Sequence, residues 1–207
     1  MTTTKRKRGS ITAAELDAEL AADPEYQARR ARLDEEHQKR WAACVEALVP
    51  VVEALQAAGC PVSSPYELLR LADEKPRLYL AAIPVLLDHL QRPYPPHARA
   101  EIAAALFRKP AELAWNQIVG LYRKELDQRV RGELANVIIL CANKARLGEV
   151  IDLVRDPKNG PSRLILLTTL QRSRDPRALA TIMDLANDPD LIKEIAFIMK
   201  GRKKRMH

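Results

Sequence analysis

The stretch that decides the fold runs from residue 118 to residue 151: IVGLYRKELDQRVRGELANVIILCANKARLGEVI. It opens on the apolar pair Ile118-Val119 and closes on Val150-Ile151, 32 residues later. The same step reaches back to Leu86-Leu87 and forward to Ile182-Met183. A third position keeps it, through Leu90, Tyr122, Val154 and Ala186. A fixed period of this length marks stacked supersecondary units, each too small to bury its own apolar face.

Within a unit the apolar positions fall at i, i+1 and i+4, one stripe of a helix. Asp88, Asp152 and Asp184 share a register between them and are expected to face solvent. A turn follows, at Pro93, Glu125, Pro157 and Pro189. Proline there stops the first helix and suits the start of the next. The second helix has its own ladder: Ile102, Leu134, Leu166 and Ile198, beside Ala103, Ala135, Leu167 and Met199. Arg99, Arg131 and Arg163 are also equivalent, and Ile195 takes their place in the fourth unit, as an end unit allows.

The turn dipeptides Asp156-Pro157 and Asp188-Pro189, followed by an arginine early in the second helix, resemble the HEAT-repeat (armadillo-like) family. Val130-Arg131 is the best single match, and the resemblance covers about residues 78–200. Membership would imply an all-α, right-handed α-α superhelix of about four helix pairs with a concave binding surface. It implies no particular activity, because function lives in sites and not in folds.

Around this core the sequence suggests four regions. Residues 1–10 read as a disordered basic tail, 11–75 as an N-terminal helical region, 76–200 as repeats and 201–207 as a second basic tail. Thr12-x-x-Glu15 is a capping box for a short helix ending near Ala22. Asp23 and Pro24 open a long helix to residue 58, where Gly59 and Pro61 stop it. Its first part, 25–40, is almost wholly charged, with Glu35–Lys39 and Glu36–Arg40 as i,i+4 pairs. An apolar stripe of Trp41, Val45, Leu48, Val52 and Leu55 follows and is expected to pack on the first repeat. Ser64-Pro65-x-Glu67 reads as a further capping box.

Composition favours helices: 47% of residues are hydrophobic but only 4% aromatic, and the chain suits a single domain. The net charge of +7 is concentrated at the ends. Lys5, Arg6, Lys7 and Arg8 stand at one end, and Lys200, Arg202, Lys203, Lys204 and Arg205 at the other. Without these nine charges the rest of the chain carries −2. Such tails suit non-specific contact with nucleic acid or an acidic surface, or simply keep the protein soluble. Cys44, Cys60 and Cys141 are odd in number and far apart, which reads as buried thiols in a cytoplasmic protein. No apolar run is long enough to cross a membrane.

No constellation for catalysis, metal binding or a cofactor emerges. The sequence holds no H-E-x-x-H, P-loop or G-x-G-x-x-G pattern. His89 and His97 are expected to be ordinary surface histidines, and Trp115 and Tyr122 packing residues. The repeated arginines leave two readings open. Each could pair with a turn carboxylate such as Asp127 or Asp156. Alternatively they form an anion-binding row, widened by Arg92, Arg108, Arg123, Arg129 and Arg172, since arginine suits bidentate oxyanion contacts. The expectation is therefore a non-enzymatic scaffold for a protein partner, with nucleic-acid binding through Lys5, Arg6, Lys7, Arg8, Lys203, Lys204 and Arg205 and the arginine row as the alternative. A glycosylase acting on DNA is the remaining enzyme reading; it would need Trp41 or Trp115 exposed beside a carboxylate in a cleft.

Overall fold

The computed structural model describes residues 11–204, with backbone alone for 202–204. These residues are helical throughout, with no strand among them. They divide into two units, 11–46 and 47–204.

The first unit holds α1 (Ala13–Ala22) and most of α2 (Pro24–Ala57). The Thr12 hydroxyl accepts from the Glu15 amide, and the Glu15 carboxylate accepts from the Thr12 amide at 2.8 Å. These bonds satisfy two of the donors a helix start leaves open. Asp23 caps α2 by accepting from the amides of Glu25 and Tyr26. None of the α1 residues is buried, so this helix is held by its cap and not by a core. Glu35 and Lys39 pair at 2.7 Å, whereas Glu36 and Arg40 form no ion pair among the described residues. Trp41 and Val45 are exposed (57% and 49%), contrary to the expected stripe.

In the second unit the end of α2 buries Leu48, Val51 and Leu55. Val52, expected to be buried, is only half-buried. Leu48, Val51 and Leu55 step by three and then four residues, and Val52 lies about 100° around the helix from Val51. Gly59 ends the helix at φ +86°, a conformation that favours glycine. A 3-10 turn (Pro65–Glu67) then leads into α3 (Leu68–Glu74). The expected cap at Ser64 is displaced by one residue. Ser63 donates to the Glu67 carboxylate through both its amide (2.9 Å) and its hydroxyl (2.5 Å). Ser64 makes no cap bond, because the tighter 3-10 turn carries Glu67 past it.

The 32-residue period resolves into four helix pairs: α4 (Pro76–Leu90) with α5 (Pro96–Ala104), α6 (Trp115–Lys124) with α7 (Gln128–Cys141), α8 (Leu147–Arg155) with α9 (Arg163–Arg172), and α10 (Pro176–Asp184) with α11 (Ile192–Lys204). The first three pairs pack helix on helix, and α5, α7 and α9 contact one another in order. Buried ladders follow the period. Leu86, Ile118, Val150 and Ile182 are buried in the first helices; Ile102, Leu134, Leu166 and Ile198 are buried in the second. Asp88, Asp152 and Asp184 face solvent. The fourth unit departs where nothing covers it. Met183 is 58% exposed, while its equivalents Leu87, Val119 and Ile151 are buried.

Candidate functional site

The three repeated arginines lie in the first turn of the second helices, and each reaches the turn of the following unit. Arg99 donates from both terminal nitrogens to the buried Glu125 carboxylate and from Nε to the Leu90 carbonyl at 3.3 Å. Arg131 donates from Nη1 to the Lys158 carbonyl at 3.0 Å and from Nη2 to the Glu125 carbonyl. Arg163, 1% exposed, forks onto Asp188 (2.7 and 3.1 Å) and also reaches Asp190 at 2.8 Å. Burial opposes its charge, but hydrogen bonds to Asp188 and Asp190 carry its pKa above the ordinary value.

These contacts leave the row little to offer an anion. The partners differ from the carboxylates named from sequence. Asp127 and Asp156 instead cap helices, accepting from the amides of Arg129 and Lys158. Glu125 takes the role because it stands where other units place proline, and its carboxylate also accepts from the amides of Leu126 and Asp127 at 2.9 Å. Of the flanking arginines, Arg92 pairs with Asp88, Arg108 with the Leu69 carbonyl and Asp73, and Arg123 with Glu149. Arg129 and Arg172 are exposed. Lys5, Arg6, Lys7, Arg8 and Arg205 lie outside the described residues. Lys203 and Lys204 belong to the backbone of α11.

A second ladder went unread in the sequence although it obeys the same step. Arg123 reaches Glu149 at 3.5 Å, and Arg155, 32 residues on, reaches Asp184 at 2.6 Å and Thr181 at 3.4 Å. Both tie one first helix to the next. Trp115 joins this network as a packing residue. It is buried, its indole N–H donates to Glu149 at 2.5 Å, and the Arg146 guanidinium lies 4.7 Å from its ring centre. Trp41 is exposed, but on the charged N-terminal helix.

His89 is buried, not a surface residue. Its Nδ1 lies 2.9 Å from the Tyr94 hydroxyl and the two rings stack. Burial, with Arg92 nearby, lowers its pKa. All three cysteines are buried, and burial pushes Cys141 up to about 11. No cluster of three metal-ligating side chains occurs among the described residues, and no helix there is long and apolar enough to cross a membrane.

The solvent side of the second helices is what remains. Glu101, Glu133, Ile165 and Phe197 hold one register position 32 residues apart, three half-buried and Phe197 exposed at 70%. Leu164, beside Ile165, is also exposed. The row is acidic in the first two units and apolar in the last two. No family model matches this chain, and neither a curated protein nor a solved structure does.

Proposed function

We infer that this chain is a HEAT-like right-handed superhelix acting as a non-enzymatic cytoplasmic scaffold, which docks a protein partner on the solvent side of its second helices. The packing supports such a curve. The second helices α5, α7 and α9 touch in sequence, whereas the substantial contact among first helices is that of α8 with α10. A stack closed on one side bends toward it, which makes that side concave.

The observation that carries the reading is the row ending in Ile165 and Phe197. An exposed phenylalanine at the apolar end of this row suits an anchor at an interface. The charged N-terminal helix offers Leu33, Trp41 and Val45 as a further contact surface, all exposed. Nucleic-acid binding through the basic ends is the second reading. The hydrogen bonds of Arg99, Arg131 and Arg163 within the stack favour a bracing role for the arginine row over anion binding.

A photo-cross-linking amino acid at position 197 tests the leading reading, with the same group at Asp152 as control. A discrete adduct from position 197 and none from Asp152 is expected. Equal labelling from both would sink the assignment. Titration of labelled duplex DNA at two salt concentrations tests the second reading, since phosphate contacts weaken steeply with salt.

A further inference from the structure

At three neighbouring positions the second unit leaves the 32-residue register. Where the other units carry Asp88, Asp152 and Asp184, it has Gly120. Where they place proline, it has Glu125. Next stands Leu126, whose equivalents Tyr94, Lys158 and Asp190 are all polar. At 86%, Leu126 is the most exposed large apolar side chain among the described residues.

All three departures line a single cleft of about 840 Å³ between α4 and α6. Packing does not demand the glycine. A Cβ at Gly120 would meet nothing within 4 Å, and glycine in a helix interior is unfavourable relative to alanine. Its effect is to leave open the space that an aspartate occupies in the other units. Leu87, Leu121 and Leu126 contribute apolar lining to the cleft.

The charges on the lining do not cancel. Asp88 is matched by Arg92 at 2.5 Å, and Glu125 by Arg99. Lys124, at the end of α6, has no carboxylate partner among the described residues. The unmatched charge on the wall is therefore positive. A cleft of this volume, apolar with a few polar groups, is of the size and make-up that seats a side chain and its flanking peptide.

We propose that this cleft docks an acidic peptide segment of a protein partner. An apolar side chain sits between Leu87, Leu121 and Leu126, in the room left by Gly120, and a neighbouring carboxylate faces Lys124. The cleft is formed mainly by first helices and the turns that follow them, and none of Glu101, Glu133, Ile165 and Phe197 lines it, so it is a site separate from the second-helix row. It shares with the proposed function only the premise that the partner is a protein.

The test is selection of a random 12-residue peptide display library on the full chain, followed by affinity measurement on three variants. Gly120→Trp fills the cleft, Lys124→Glu reverses its charge, and Leu126→Asp removes an apolar wall that is too exposed to affect folding. The expected result is a consensus pairing leucine or an aromatic residue with aspartate or glutamate. Its affinity falls at least tenfold in each variant and stays within twofold in Lys124→Arg. Thermal melts of the variants establish that they are folded. An empty selection, a basic consensus, or peptides that bind Gly120→Trp and Leu126→Asp as well as the parent chain would overturn the proposal. The cross-link from position 197 reports separately. If it survives in Gly120→Trp while the peptide result fails, the scaffold reading stands and the cleft assignment falls.

Discussion

The junction between the third and fourth repeat units and the junction between the second and third use the same arginine position in opposite ways. At the former, Arg163 forks onto Asp188 and adds Asp190, so a buried cation meets two carboxylates. At the latter, Arg131 is buried to nearly the same degree (5% exposed against 1%) but meets only the carbonyls of Glu125 and Lys158, and its Nε has no partner. A neutral network stands beside it. The Tyr122 hydroxyl lies 2.8 Å from that of Ser162, which donates to the Asn159 carbonyl at 2.7 Å. One register position therefore serves as an ion pair in one layer and as a carbonyl clamp in another. The repeat conserves the reach of the arginine into the next turn, while the chemistry that meets it is set by the turn.

The largest effect should come from breaking the ionic junction. Arg163→Met leaves Asp188 and Asp190 without their cation, and removing one member of a buried pair costs about 3–5 kcal/mol. The exposed side of Asp190 (47%) places this site toward the lower end. Chemical denaturation should show a lowered midpoint with an unchanged slope. A loss below about 1 kcal/mol would mean that the pair contributes little and that the two junctions are alike.

The carbonyl clamp depends on how its turn presents Lys158, Asn159 and Ser162, and that turn rests on Gly160. Its φ of +55° and ψ of −147° fall in a region open almost only to glycine. A Cβ there would also meet the Gln128 side chain at 3.3 Å. Gly160→Ala should cost about 1–3 kcal/mol. Loss of amide exchange protection should appear first at Arg163 and nearby in α9. Uniform loss across the stack would deny that the turn is a local device.

Arg131→Met should cost least of the three, about 1 kcal/mol. It forfeits two hydrogen bonds to carbonyls but removes a buried charge that lacks a carboxylate, and those terms oppose each other. A cost equal to that of Arg163→Met would erase the contrast between the junctions.

Much of this architecture can be read from the 32-residue step, because burial repeats wherever the next unit covers the last. Leu86, Ile118, Val150 and Ile182 are legible for that reason. The arginines are legible as a row, but their partners are not. Glu125, Asp188 and Asp190 lie 25 to 27 residues downstream of the side chains they meet, and nothing in the sequence distinguishes them from Asp127 or Asp156, which cap helices instead. Trp41 and Val45 misled because an apolar residue on a helix has no face until a neighbour supplies one. His89 was hidden similarly, since its burial depends on Tyr94 folding back across a proline-rich turn. The cleft at Gly120 is visible only as a lapse in the register, and a lapse acquires meaning once the space beside it is known.

The smallest prediction separates the two junctions by pH alone. Hydrogen bonds from Arg163 hold the Asp188 carboxyl below its ordinary value, against the opposing pull of burial. Folded Asp188 therefore binds its proton at lower pH than it does in the unfolded chain. Its contribution is fully present above the unfolded carboxyl value of about 3.9, and it is lost as pH falls through the folded value. The stability gap between the parent chain and Arg163→Met should thus be constant from about pH 7 to about pH 5 and should narrow below about pH 4. The Arg131 brace contains no carboxylate, so the gap to Arg131→Met should stay flat over the same range. Thermal midpoints of the three proteins measured down to about pH 3 decide the matter. A flat gap for both variants would show that Asp188 titrates alike in the folded and unfolded chain. A narrowing gap for Arg131→Met would place an unrecognised carboxylate in the carbonyl clamp and remove the distinction between the layers.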